Sequence, residues 1–220
     1  MRFQSNTPKN QRGLSMLIAL IALLILSITA VALVRSIDTG TLIIGNYAFK
    51  QDATEAGSRG AERAIAWLAS QASLDNDDTA NGYYASSLDN FDPTGNNTTQ
   101  AKQLMLANWD GTNCSSSKSG TYVGCSILPY PTAANASALT INGNNVQWVI
   151  TRLCQAALPV GVGNACMSPG TTGAASANDR GELTSGGRIS SAVAGPYYRI
   201  IVRTTGPRNT VSYTETMVHF

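Results

Sequence analysis

Residues 11–35 read QRGLSMLIALIALLILSITAVALVR. After Arg12 and Gly13 the chain runs from 14 to 34 without a charge, and Arg35 closes the stretch. Its only polar members are Ser15, Ser27 and Thr29, whose hydroxyls can bond back to a helix. At 1.5 Å per residue a helix of this length covers about 31 Å, enough for the hydrocarbon core of a bilayer. Arg2, Lys9 and Arg12 precede it with no acid, so the positive-inside rule places that end in the cytoplasm and the remainder outside. A cleaved secretory signal has an apolar core of about 7–15 residues and a small-x-small cleavage site. This core is longer and lacks that break, so a retained membrane helix is expected.

The helical pattern continues beyond Arg35 to about residue 73. Glu55 and Arg59 form an i, i+4 pair of the favoured polarity. Ala53, Ala56, Gly60, Ala64 and Trp67 recur at spacings of three and four, giving a narrow stripe of small residues that can sit close against a sheet. Gly40 and Gly45, each worth about 1 kcal/mol against alanine, are expected to loosen the helix just outside the membrane core.

The rest is polar and rich in Gly, Ser, Thr, Asn and Ala. A short helix is expected over 100–108 and a strand over 146–153 (VQWVITRL). The clearest strand signal lies at the end, with strands over 197–204 and about 211–218 and a loop at Gly206 and Pro207. Tyr198, Ile200 and Val202 give one apolar face, with Arg199 and Arg203 on the other, expected to be solvated along with Arg208. A long helix against a C-terminal antiparallel β-sheet makes an α+β fold.

Four cysteines, Cys114, Cys125, Cys154 and Cys166, lie in two close pairs after residue 110. Without C-x-x-C spacing or histidine partners they do not suit zinc, and disulfides in an oxidising compartment are expected. Three connectivities are open to four cysteines; the short-loop pairing Cys114 with Cys125 and Cys154 with Cys166 is preferred. The single histidine, His219, is expected to be structural or exposed, and no catalytic constellation, metal site or cofactor site is read. Residues 75–82, DNDDTANG, come near a calcium loop, but the glycine is late and a closing acid is not correctly spaced, so a solvated turn is expected. A net charge of +2 argues against nucleic-acid binding.

Three stretches in this order, QRGLSMLIALIALLIL (11–26), AFKQDATEAGSRGAERA (48–64) and YYRIIVRTTGPRNTVSY (197–213), resemble the type IV pilin-like family, and within it the PilX-type minor pilins. The resemblance covers the N-terminal third and the C-terminal strands. It implies a leader over 1–13 that the prepilin peptidase cuts after Gly13, leaving Leu14 as the new N-terminus. A membrane or filament-core helix over 14–35 follows, then a helix extension over 36–74 and a disulfide-braced β-rich head over 75–220. Ile18, Ala19 and Ala22 would pack against neighbouring pilin helices, and Ala53, Ala56 and Gly60 against the head. Pilins usually carry glutamate at the fifth mature position, to meet a neighbour's free amine; here it is Ile18, which fits either a place at the filament tip or sparse incorporation along the shaft. The implied function is priming of pilus assembly. The implied partners are other minor pilins, the major pilin, a PilY-type tip adhesin and the prepilin peptidase. The chain would reside in the inner membrane, with its head periplasmic, and later in the pilus at the cell surface. A minor pseudopilin of type II secretion and a plain signal-anchored envelope binding protein are the alternatives.

Overall fold

The structure, a computed structural model, describes residues 12–97, 99–112, 114, 122–161, 163–168 and 195–219, and the side chains of 12–14 and 101 lie outside that description. The leader expected over 1–13 therefore falls almost wholly outside the described residues. The chain forms two compact units, one ending at Ala48 and the other, the head, running from Phe49 to Phe220. Helix α1, Arg12–Ser70, contributes to both.

α1 runs through Gly40 and Gly45 without interruption, against the expected loosening. Thr39 Oγ1 donates to the Arg35 carbonyl at 2.9 Å and Thr41 Oγ1 to that of Asp38 at 2.8 Å, so this segment's hydroxyls bond to the helix itself. The helix stops at Ser70, three residues short of the expectation. There the Ser70 hydroxyl at 2.7 Å and the Gln71 side chain at 3.2 Å donate to the Trp67 carbonyl, satisfying an acceptor that the missing next turn leaves open.

The head is built on a sheet of long central strands. In chain order the strands are β1 (Tyr83–Tyr84), β2 (Met105–Ala107), β3 (Gly124–Ile127), β4 (Thr140–Ile141), β5 (Asn144–Arg152), β6 (Tyr197–Thr205) and β7 (Val211–His219). The sheet order is β1-β5-β6-β7, with β4 hairpinned onto β5. Asn142 and Gly143 make that two-residue turn, and both have positive φ, 51° and 80°, as a turn matching strand twist requires. β5, β6 and β7 are antiparallel in unbroken register, but β1 joins β5 in parallel, and β2 pairs with β3 in a separate parallel ribbon. The sheet is thus mixed rather than purely antiparallel. β2 occupies residues where a helix was expected; only a turn at Ala101–Gln103 is helical, because Met105 and Ala107 find backbone partners at Gly124 and Ile127.

Two cores flank the main sheet. On one face Val146, Trp148, Ile150, Tyr198, Ile200 and Val202 pack with Ala56, Ala61, Ala64 and Leu68 of α1. The other face is not solvated as expected. Val149 and Ile201 are buried there beneath Tyr84, Phe91, Ala107, Trp109 and Ile127. Arg203 lies over the Trp109 ring at 6.0 Å, while Arg199 grips Glu215 with Nε and Nη2 at 2.9 and 3.1 Å. Arg208, in the loop between β6 and β7, lies over the Phe49 ring at 5.3 Å. A layer contributed by β2, β3 and the loops around them covers what the alternation in β6 alone presents as a polar face.

Candidate functional site

The feature that asks for a function is the apolar part of α1. By length and composition α1 can cross a membrane. Ser27 Oγ donates to the Leu23 carbonyl at 2.8 Å and Thr29 Oγ1 to that of Leu26 at 2.9 Å, so neither hydroxyl needs water. Ile18 is 58% exposed, and Ala19, Ala22 and the large side chains from Met16 to Val34 are exposed around the whole circumference. A helix apolar all round is stable only within lipid or among other apolar helices. Gly13 and Leu14 lie in its first turn. The exposed apolar character continues past Arg35, with Ile37, Leu42, Ile43, Ile44 and Tyr47.

The six packing residues read from sequence fall into two groups. Ile18, Ala19 and Ala22 are open to a neighbour. Ala53, Ala56 and Gly60 are buried within the head, so they hold the fold and offer no surface to another chain. Gly57, which the stripe read from sequence leaves out, belongs with them: a Cβ there would lie 2.9 Å from the Thr214 hydroxyl and 3.1 Å from that of Thr204. No family model matches this chain, and neither does any curated protein or solved structure.

The head's loops are held by side chains that reach backbone. Cys114 is joined to Cys125 and Cys154 to Cys166. The acidic run at 75–78 bends with Asn76 and Asp77 exposed, as expected of a turn, but its carboxylates are tied to the head. Asp75 meets Arg152 at 3.1 Å, Asp77 accepts the Ala85 N–H at 2.7 Å, and Asp78 accepts from Asn81. Each carboxylate thus has its own structural partner, and among the described residues no group of three or more His, Cys, Asp or Glu could hold a metal. His219 meets Tyr197 edge-on at 5.3 Å. A pocket of about 220 Å³ is lined by Thr94, Gly95, Trp109, Asp110, Arg203 and Tyr213, among others. Its Trp109 N–H is already given to the Pro93 carbonyl at 2.9 Å. Burial pushes the Tyr213 hydroxyl up from its ordinary value, so it stays a neutral phenol.

Asp92 is the hub of the loop beside this pocket. Its Oδ1 accepts the N–H groups of Thr94 and Gly95 and the Thr94 hydroxyl, at 3.0 to 3.1 Å. Its Oδ2 accepts the Asn97 N–H at 3.1 Å and the Tyr122 hydroxyl at 3.0 Å. Burial works against ionisation, but the donors from Asn97, Tyr122 and Thr94 outweigh it and hold the carboxyl below its usual value. A depressed folded-state pKa contributes stability that is full above the unfolded value of about 3.9 and disappears as pH falls through the folded value. The head should therefore lose stability on acidification below about pH 4. Asp92→Asn should flatten that part of the profile, as read from urea midpoints between neutral and acid pH. An unchanged acid limb in the variant would show that Asp92 does not carry it.

Proposed function

We propose that this chain is a minor pilin of the PilX type. In this reading it is inserted in the inner membrane by residues 14–34, trimmed after Gly13, and assembled with other minor pilins to prime a type IV pilus at or near its tip. The observation that carries the reading is α1. From Met16 to Val34 the helix is exposed and without charge on every side, and within the head the same element presents a small-residue face to a sheet. A simple anchor needs only the first of these.

The mechanism is transfer of a helix from one apolar solvent to another. In the membrane, lipid covers Met16 to Val34. In a filament, neighbouring apolar helices cover the same surface, and close packing of small residues such as Ala19 and Ala22 supplies the attraction that lipid does not. Ile18 cannot ionise, so its entry into the bundle carries no requirement for a neighbour's amine. A subunit with no such requirement suits the leading position, where no subunit lies ahead. The head, braced by two disulfides, would meet the PilY-type adhesin and the other minor pilins.

The N-terminal mass of the membrane protein tests this reading, measured in cells with and without the prepilin peptidase. The expected result is a mature chain beginning at Leu14 only when the peptidase is present. A chain beginning at Met1 in both strains would overturn it.

A further inference from the structure

The outer edge of the sheet points to a second copy of this chain. β7 pairs with β6 over all nine residues, from Val211 opposite Thr205 to His219 opposite Tyr197, without a bulge. Among the described residues no strand pairs with its other edge. Edge strands are ordinarily guarded by proline, lysine, a bulge or brevity. VSYTETMVH has none of these, and it is rich in the β-branched and aromatic residues that favour strands. Its one acid, Glu215, is bonded to Arg199 and gives the edge little net charge. The two large apolar side chains most exposed on the strand, Val211 at 40% and Met217 at 57%, sit towards opposite ends on the same face.

We propose that β7 pairs antiparallel with β7 of a second copy, in a register centred on Thr214. In an antiparallel pair, residues opposite each other share a face and point their backbone groups the same way, so only registers that shift by whole pairs are available. Centring on Thr214 sets Val211 opposite the second copy's Met217, and Met217 opposite its Val211, so each exposed apolar side chain covers the other. The same register sets Tyr213 opposite the second copy's Glu215 and Ser212 opposite its Thr216. Centring on Glu215 opposes two carboxylates, which is unfavourable. Centring on Tyr213 sets Val211 against Glu215 and leaves Met217 uncovered. Of the registers that pair at least seven residues of each strand, those centred on Thr214, Glu215 and Thr216, only the first opposes Val211 to Met217 and keeps the acids apart, since centring on Thr216 sets Met217 against Glu215. The Thr214 register joins the sheets of two heads into one and removes both open edges. This pairing does not depend on the pilin reading, because it uses only β7.

The four native cysteines are all in disulfides, so a cysteine introduced on β7 is the single free thiol. Full-length Val211→Cys and Met217→Cys chains in detergent micelles, mixed and mildly oxidised, should form a covalent dimer. The yield should be at least about fivefold above that of either variant alone, because only directly opposed positions come within disulfide reach. Met217→Lys places a guard charge on an exposed position that the fold does not need. It should raise the dimer dissociation constant about tenfold, read by sedimentation. Equal cross-linking of the single variants, no cross-linking in the mixture, or a dissociation constant unmoved by Met217→Lys would each overturn the proposal.

Discussion

Arg152→Met should destabilise the head by about 3–5 kcal/mol, the range for removing one partner from a buried charged network. The Arg152 side chain is 1% exposed, yet it lies at the end of the row Val146, Trp148, Ile150 on the helix-facing side of β5. Its guanidinium donates to the Ala85 carbonyl at 3.1 Å, to Asp75 Oδ1 at 3.1 Å, and to the carbonyls of Ala156 and Leu158. One side chain thus ties together the segment after α1, the segment after β1 and the loop closed by Cys154 and Cys166. Methionine keeps most of the apolar stem but leaves those carbonyls without their donor. Asp75→Asn takes the carboxylate away from a guanidinium that stays buried, but the amide oxygen can still accept from Nη1 and the carbonyl acceptors remain, so it should cost less than Arg152→Met, about 2 kcal/mol. Arg152→Lys should lie between, since an ammonium carries the charge but not the planar fork that reaches four acceptors. Urea midpoints from tryptophan fluorescence, with the disulfides kept oxidised, separate the three. A loss of under about 1 kcal/mol for Arg152→Met would show that water replaces the guanidinium at no great cost.

Arg152 also shows where the sequence could be read and where it was not. Alternation along VQWVITRL places Arg152 on the same face as Val146, Trp148 and Ile150, so a buried charge was legible there in principle. α1 was legible because an apolar run and a three-four spacing are local patterns. β6 and β7 were legible because alternation and a Gly-Pro break are local too. β2 was not, since its strand state depends on backbone partners in β3 about twenty residues further on, and its own residues suit a helix equally well. The same limit explains the misread Arg199 and Arg203 face: period two says which residues share a face, not whether a second layer covers it. In the acidic run at 75–78, composition suggested solvent, whereas each carboxylate meets a donor brought near by the fold. For the candidate site, the exposed apolar stretch of α1 was plain in sequence, and so was much of the buried stripe, which also takes in Gly57, Ala61 and Leu68.

Gly60 is where that stripe is least tolerant. An added Cβ would lie 2.5 Å from Val146 Cγ1 and 3.1 Å from Val202 Cγ1, both on fully buried, β-branched side chains of adjacent strands. Valine has one stiff χ1 and no flexible end to move aside. Gly60→Ala gains about 1 kcal/mol of helix propensity, but overpacking of this kind costs about 1–3 kcal/mol. The clash is severe enough that a net loss of about 1–2 kcal/mol is expected. Gly57→Ala should cost less, about 1 kcal/mol or below, since its nearest contact is 2.9 Å rather than 2.5 Å and the helix gain offsets part of the crowding, although Thr214 and Thr204 are β-branched and also move only by χ1. The two glycines lie one turn apart on the same face, so the contrast isolates the neighbour from the helix. A double-mutant cycle completes the argument. Val146→Ala removes Cγ1, the atom nearest the added Cβ, so Gly60→Ala made on that background should recover at least about 1 kcal/mol relative to additivity. Additive losses would mean that α1 shifts as a body to accommodate the methyl group, and that close approach at Gly60 is not what fixes the helix on the sheet.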